Sequence, residues 1–508
     1  MTDERQHDPG GEAGSPVAEA DRRARALGAT STKAHKKRWG QFFSPAALGE
    51  FMASLVDLGE LDQLGALRIL DPGAGTGVLG LSLAARALRD QPGRRVELVA
   101  VESEPGARDQ LVRSLTVAGR VLGPGFSFSV LSEDVLELGD RPVGRFHLAI
   151  ANPPYYKLPP SDPRGGDAPN IYARFMEVAS ELLHPGGALC FVVPRSFASG
   201  RYFRRFRTRF HQQMRLRRVH VFDSRTDAFR GDAVLQENIV VVYAKQAGAQ
   251  HEVIISRSQG LGDLASVSCL RAPSRDVVGD DADAVVSLPT SADELRLLQA
   301  VRGWPMVLAD LGLQASTGPI VPFRATDYLE HARQRDTLPL LWLQHVSADG
   351  VTWPLGQPFR KQEHVRASIG DARLLANRNY VLLRRFSAKE DPKRITAAPH
   401  LAKHLECRAF GLENHVNYIH RPGGMSEMEV IGLAALLGSR TIDTYFRICS
   451  GNTQVSATEL RVLPLPDLGV IHAIAQASRR AGRGQAVAVE RIIATSLRDQ
   501  PRELGRAS

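Results

Sequence analysis

Between about residue 46 and residue 245, seven short apolar runs alternate with stretches of helical periodicity, and no other feature limits the fold of this chain so tightly. The runs are ALRILDPG, VELVAVES, FSVLSED, FHLAIANPP, GALCFVVP, RRVHVFD and NIVVVYA. Several are rich in Val, Ile and Leu on both alternations, as strands covered by helices on both faces must be. The expected fold is therefore α/β, with a doubly wound, mostly parallel seven-stranded sheet in a domain spanning residues 35–247. AALGEFMASLVDLG has helical spacing, with Ser44 placed to cap the helix and Pro45 at its first position. Residues 1–34 have no hydrophobic period and are expected to form a disordered tail.

The remaining length allows further domains, since 508 residues at ~150 per domain make two or three. Residues 248–289 are rich in Ser, Asp, Gly and Arg and read as a linker. Residues 290–470 mix short segments with many Arg, His and aromatic residues, and 471–508 read as a helical tail. The net charge of +9 suits a polyanionic partner, because neutralising phosphates releases counterions, but does not distinguish DNA from RNA. Four cysteines without close pairing argue against a disulfide framework or a Cys-based zinc site. With no apolar leader and no run of 18 apolar residues, a cytoplasmic protein that spans no membrane is expected.

Asp71-Pro72-Gly73-Ala74-Gly75-Thr76-Gly77 lies between an apolar run and a helical stretch, so its glycines form a strand-to-helix turn that a ligand can approach closely. Dinucleotide-binding turns look similar. Asp71 argues against a diphosphate, which its carboxylate would repel, and favours a cationic amino-acid moiety. Glu102 closes the next strand, where it can accept ribose hydroxyls, and Asp134 the one after, where it can accept from an adenine amine. Any one of these acids alone reads as an exposed strand end. Three at successive strand ends read as a ligand site.

Asn152-Pro153-Pro154-Tyr155 follows HLAIA at the carboxyl end of the fourth strand. An exocyclic amine on a purine or pyrimidine is a poor nucleophile because its lone pair is delocalised. The Asn152 side-chain oxygen and the Pro153 carbonyl can accept its two N–H bonds and return density to nitrogen. The prolines stiffen the turn and carry no competing N–H, and Tyr155 offers a stacking face for an extruded base. Attack through cytosine C5 would need a thiolate, and no Pro-Cys pair occurs.

With these motifs in this order, the sequence resembles the γ class of N6-adenine DNA methyltransferases of restriction–modification systems. Lys36-Lys37-Arg38-Trp39-Gly40-Gln41-Phe42-Phe43-Ser44-Pro45 resembles the first motif of that class, with Ser44 where threonine is usual. The resemblance implies S-adenosylmethionine as cofactor, contacted by Ser44, Asp71, Gly73, Gly75, Glu102 and Asp134. It carries Asn152, Pro153 and Tyr155 over as catalytic, and implies Tyr155 and Phe229 as the aromatics stacking on a flipped adenine. Phe229 could equally be a hydrophobic anchor for its loop. The resemblance further implies a C-terminal mixed α+β target recognition domain and double-stranded DNA as partner. It also implies a monomer without membrane contact, sharing its site with a cognate restriction endonuclease without a stable complex. Ser316-Thr317-Gly318-Pro319 with Phe323-Arg324, Glu413-Asn414-His415 and Ser450-Gly451-Asn452-Thr453-Gln454 resemble its recognition segments.

In NRNYVLLRRFSAKEDPKR, Arg378, Arg384, Arg385, Lys389, Lys393 and Arg394 surround Tyr380 and Phe386, a mixture suited to phosphates and bases or, residue by residue, to a solvated basic face. The basic run 201–218 reads as a sheet-covering helix with an arginine-rich outer face. His400, His404, Cys407, His415 and His420 match no standard ligand spacing, so no metal is expected. The rival reading is an Asn-Pro-Pro-Tyr enzyme acting on RNA or on a release-factor glutamine. Such enzymes usually lack Gly-Gln-Phe-Phe and carry their recognition domain at the N-terminus.

Overall fold

The computed structural model describes residues 14–40, 43–59, 65–140, 142–159, 162, 168, 170–223, 237–245, 251–279, 283–356, 358–387, 393–451, 454–480 and 485–498. They divide into two compact units, Met1–Ser291 and Ala292–Ser508.

The first unit is built on one sheet. Its elements are α1 (Pro16–Thr30), α2 (Lys33–Trp39), α3 (Ala46–Leu55), β1 (Ala66–Pro72), α4 (Val78–Asp90), β2 (Arg95–Val101), α5 (Pro105–Leu122), β3 (Phe126–Leu131) and β4 (Phe146–Ala151). There follow α6 (Ile171–Leu182), β5 (Leu183–Pro194), α7 (Ser196–Ser199), α8 (Arg204–Gln213), β6 (Arg215–Phe222), β7 (Asn238–Ala244), β8 (Glu252–Ser258), β9 (Ser268–Pro273) and α9 (Ser274–Val277). The strand order is β3-β2-β1-β4-β5-β7-β6-β8-β9. The first five strands are parallel, and β7 runs antiparallel between β5 and β6. Strand order reverses between β1 and β4, which opens a crevice beyond their carboxyl ends.

β1 to β7 coincide with the seven apolar runs, but the sheet has nine strands, not seven. β8 pairs parallel with β6 and β9 antiparallel with β8, so residues 248–289 are part of the sheet and its closure rather than a linker. Polar residues at inward positions hid β8. Ser256 and Ser258 take the two ring nitrogens of buried His220 at 2.9 and 3.0 Å. Burial pushes this histidine down to about 4, so the ring is neutral near pH 7 and can donate on one side and accept on the other. The stretch after α9 finishes the unit. Val286 N donates to Ala198 O at 2.8 Å and Ser287 N to Val277 O at 2.7 Å. The buried Arg207 guanidinium donates to the carbonyls of Asp283, Phe197 and Gly200 at 2.8–2.9 Å.

Nor are residues 14–30 a disordered tail. Pro16 opens α1, and Val17, Ala20 and Ala24 are buried where the helix packs on α4 and α5. Thr76 Oγ1, within the glycine turn, donates to Ala20 O at 2.9 Å. An alanine- and arginine-rich segment has high helix propensity, but a stripe of one valine and two alanines is too weakly apolar to register as a hydrophobic period.

The second unit is mixed α and β. A four-stranded antiparallel sheet runs Gln314–Thr317, Val416–His420, Tyr380–Arg384, Ala397–His400. A smaller five-stranded sheet runs Leu329–Glu330, His364–Arg366, Thr337–Leu341, Ala409–Leu412, Leu374–Ala376. Helices Glu427–Leu437 and Ala457–Arg461 each begin with a capping box, Ser426 with Glu429 and Ser456 with Glu459. Val381, Leu383 and Ile419 of the larger sheet share one core with Leu298, Leu433, Phe446, Ile471, Ile474, Val489 and Ile493. The helices expected as a separate tail after residue 470, Leu468–Arg479 and Gln485–Arg498, thus belong to this core.

Candidate active site

The turn after β1 folds as its glycines require. Gly73, Gly75 and Gly77 have φ of 77°, 58° and 92°, values that side chains disfavour. The amides of Gly73 and Ala74 both donate to Val101 O at 2.9 Å, fastening the turn to the end of β2. Glu102 Oε2 accepts from Gly75 N and Oε1 from Glu104 N, each at 2.8 Å, while burial and the neighbouring Glu104 carboxylate raise its pKa. Asp134 lies three residues beyond β3 and accepts from Leu136 N at 3.0 Å. Asp71 is 1% exposed, and its Oδ2 accepts from Gly80 N at 2.9 Å at the start of α4. Burial, and secondarily the charge of Glu102, pushes its carboxyl up to about 7, and its Oδ1 has no hydrogen-bond partner.

At the end of β4, Asn152 Nδ2 donates to Ser44 Oγ at 3.1 Å, and Tyr155 OH donates to Asn152 Oδ1 at 2.7 Å and to Val192 O at 3.3 Å. Ser44 is therefore no helix cap. The residue before α3 is Pro45, and the buried Ser44 hydroxyl is spent on Asn152. α2 ends at Gly40 in the left-handed conformation with φ 60°, and a Cβ there would overlap Pro154 Cβ. Only glycine lets the end of α2 approach Pro154 so closely. The Tyr155 ring stands edge-on to Tyr172 at 6.1 Å.

A cavity of about 220 Å³ opens between these elements. Gly73, Gly75, Glu102, Asp134 and Asn152 line it, with Phe43, Val135, Ile171 and Phe175 as apolar walls. Of the predicted site residues, Asp71, Ser44, Pro153 and Tyr155 do not line it. Asp71 lies behind the turn, bonded to Gly80 N, while Ser44 and Tyr155 hydrogen-bond to Asn152 and Pro153 is buried beside it. Sequence reasoning gave no contact role to Arg38, Trp39, Pro154 and Tyr156, which do line it; the first three lie within the quoted motifs, and Tyr156 directly follows the second. The donor set fits S-adenosylmethionine. Two carboxylates flank the apolar walls that a nucleoside needs, and a third, raised in pKa, lies behind them, so a diphosphate at the glycine turn would face carboxylates. A larger cavity of about 390 Å³ lies toward the amino ends of β4 and β5 and holds none of the predicted residues.

The four basic residues expected on DNA are not brought together. Arg384 donates to Val346 O at 2.6 Å, Arg385 to Asn414 O at 3.2 Å, and Lys393 to Gly438 O at 2.6 Å, all carbonyls of the second unit. Arg378 is exposed at the opposite end of the strand Tyr380–Arg384. Phe323, by contrast, is 74% exposed on the turn Pro322–Arg324, with the Arg324 guanidinium 5.3 Å from its ring centre. His400, His415 and His420 have separate partners in Asn377, Glu413 and Ser316. Phe229, Gln41, Phe42, Lys389, Asn452 and Thr453 lie outside the described residues.

Comparison with known proteins extends beyond this cavity. The Eco57I restriction-modification methylase family model matches residues 131–229. The tRNA1(Val) (adenine(37)-N6)-methyltransferase of Salmonella arizonae is 29% identical over 187 residues, 36% of this chain and 69% of that protein. The type IIL restriction-modification enzyme MmeI, solved in complex with DNA, is similar in fold at a TM-score of 0.59 and 11% identity, over 95% of this chain and 78% of that one. The type II methyltransferase M.BsuBI of Bacillus subtilis is 30% identical over 457 residues, 86% of this chain and 89% of the relative. A likeness of that extent takes in both units, and the chain belongs to the family of type II methyltransferases of restriction–modification systems, with S-adenosylmethionine as methyl donor.

Proposed function

We propose that this protein methylates the exocyclic N6 amine of an adenine rotated out of double-stranded DNA, at a sequence read by its C-terminal unit. The observation that carries the reading is the polarised amide of Asn152 at the rim of the cavity. Ser44 accepts from its nitrogen, which fixes the orientation of the amide and of its accepting oxygen. Tyr155 uses one lone pair of that oxygen and the second can take an N–H of the target amine, while the Pro153 carbonyl takes the other. Both bonds localise the amine's lone pair and strengthen as positive charge develops on nitrogen, which is where transition-state stabilisation is wanted. When bound, S-adenosylmethionine supplies a methyl group made electrophilic by its sulfonium. Glu102 and Asp134 hold its ribose and adenine, and the displaced amine proton leaves to solvent. Tyr155 and Phe229 stack on the extruded base.

Adenine is favoured over other amines because the similar tRNA1(Val) methyltransferase of Salmonella arizonae acts on adenine N6, and no Pro-Cys pair exists for cytosine C5 chemistry. DNA is favoured over tRNA because the type II relative matches most of the chain and the tRNA relative about a third. The proposal includes a monomer that shares its site with an endonuclease without forming a stable complex. Long-read modification mapping of DNA from a host expressing the chain tests all but the last point. N6-methyladenine confined to one motif is expected. Unmodified DNA together with methylated RNA or release-factor glutamine would overturn the proposal in favour of the rival reading.

A further inference from the structure

Asn238 opens β7 and is 4% exposed, yet among the described residues neither its Oδ1 nor its Nδ2 has a hydrogen-bond partner. A buried amide with both ends unmatched destabilises a fold, and such groups collect where function requires them. Its neighbours Ile239 to Tyr243 are all apolar or aromatic and buried, so an apolar residue would suit the strand better.

The sheet register says what the amide faces. Val240 and Val242 of β7 share a core with Cys190 and Val192 of β5 and with Leu148 and Ile150 of β4. Side chains alternate along strands, so Asn238, two residues before Val240, and Asn152, two residues after Ile150, continue that same face. β7 is antiparallel to β5, with Asn238 opposite Pro194, so its first residue lies at the carboxyl end of β4 and β5. Only β5 stands between the two strands, and Asn238, opposite Pro194, lies two strand spacings across and two residues along from Asn152, about 12 Å. Two amides reaching from that one face can meet neighbouring atoms on a single edge of a purine. Arg195 and Glu237 brace the position, with Arg195 N donating to Glu237 O at 2.6 Å and Nη1 to Oε2 at 3.3 Å.

We infer that Asn238 is a specificity-determining residue of the target-base pocket, its Nδ2 donating to a ring nitrogen of the flipped adenine whose amine is held at Asn152. This rests on the proposed function above. In adenine the ring nitrogens on either side of the amine, N1 and N7, are both acceptors, whereas guanine presents an N–H at N1 and a carbonyl in place of the amine.

The test uses the full-length protein and duplexes of its mapped site in which the target is adenine, 1-deazaadenine or 7-deazaadenine. Each analogue keeps the amine and replaces one ring nitrogen by CH. For wild type, one analogue should lower kcat/KM about tenfold or more. Asn238→Ala should show a similar loss with adenine and no further loss with that analogue. Asn238→Leu, close in shape, should raise Tm while losing turnover to the same degree, with S-adenosylmethionine affinity unchanged as the check on folding. If both variants keep the wild-type ratio between adenine and the analogues, or if neither analogue slows the wild type, this inference is overturned while the adenine reading stands. A wild-type protein that methylates no adenine in DNA overturns both.

Discussion

Ser44 Oγ accepts a hydrogen bond from Asn152 Nδ2 at 3.1 Å across 108 residues of sequence, and this bond fixes the orientation of the Asn152 amide. Ser44→Ala should lower kcat about tenfold, and up to 100-fold, by letting the amide rotate, with little change in S-adenosylmethionine affinity. Ser44→Thr keeps the hydroxyl and should stay within a few-fold of wild type. Equal losses for both substitutions would show that the hydroxyl does not orient Asn152.

Asn152→Ala should remove methyl transfer by a factor of ~10²–10³ or more while cofactor binding stays nearly intact, because its oxygen acts on the reacting amine. Single-turnover kinetics with saturating cofactor separate the two effects. Turnover like wild type would withdraw the catalytic assignment.

Glu102 and Asp134 line the cavity and point to a different readout. Replacing either by alanine should cost roughly 1.5–3 kcal/mol in cofactor binding, the worth of hydrogen bonds to a charged group, or about 10- to 100-fold in Kd. DNA affinity should not follow. Calorimetric titration with S-adenosylmethionine, in which both variants bind as wild type does, would contradict the cofactor map.

Asp71 should leave a mark on the pH dependence of stability. Its folded pKa of about 7 lies above the ordinary 3.8, so between these values the folded state holds a proton that the unfolded state has released. Stability from this residue is therefore greatest at low pH and falls as pH rises through that window, by up to ~1.4 kcal/mol per pH unit, levelling off above it. Denaturant titrations of Asp71→Asn should show a flatter profile between pH 4 and 7. A slope equal to that of wild type would mean that another group carries it.

Phe323 should matter to DNA and not to the fold. It is the most exposed of the large apolar side chains among the described residues, and Arg324 lies against it. Phe323→Ala should weaken binding to the target duplex by ~1–3 kcal/mol, the usual worth of a base–aromatic stack, and leave Tm unchanged. Unchanged affinity with unchanged Tm would remove Phe323 from the recognition surface.

What the sequence disclosed and what it hid follow from how each element makes its contacts. β1 to β7 were legible because buried parallel strands must be apolar on both faces, and the glycine turn and Asn152 because their chemistry admits few substitutes. β8 was illegible because its inward serines look like loop residues until His220 is found between them. Ser44 was expected to cap α3 and to touch the cofactor, and its bond to Asn152 was not foreseen, since a one-dimensional motif does not say which neighbour a hydroxyl serves. In the second unit, strands of two to five residues are too short for period-two alternation to register. Arg384, Arg385 and Lys393 illustrate a further ambiguity, for sequence alone does not show that a cation donates to carbonyl oxygens of its own unit.

The closure of the first unit by β8, β9 and the stretch to Ser291 decides where the protein can be divided. A cut near 247, where the apolar runs stop, would bare β6 as an edge strand, strip both serines from a buried imidazole, and invite pairing between copies of the sheet. A cut near 285 would still release the strap that lays Ser287 against Val277. Chimaeras that exchange target specificity between relatives should therefore be joined at 291–292. Failures at earlier junctions would be failures of solubility and not of recognition.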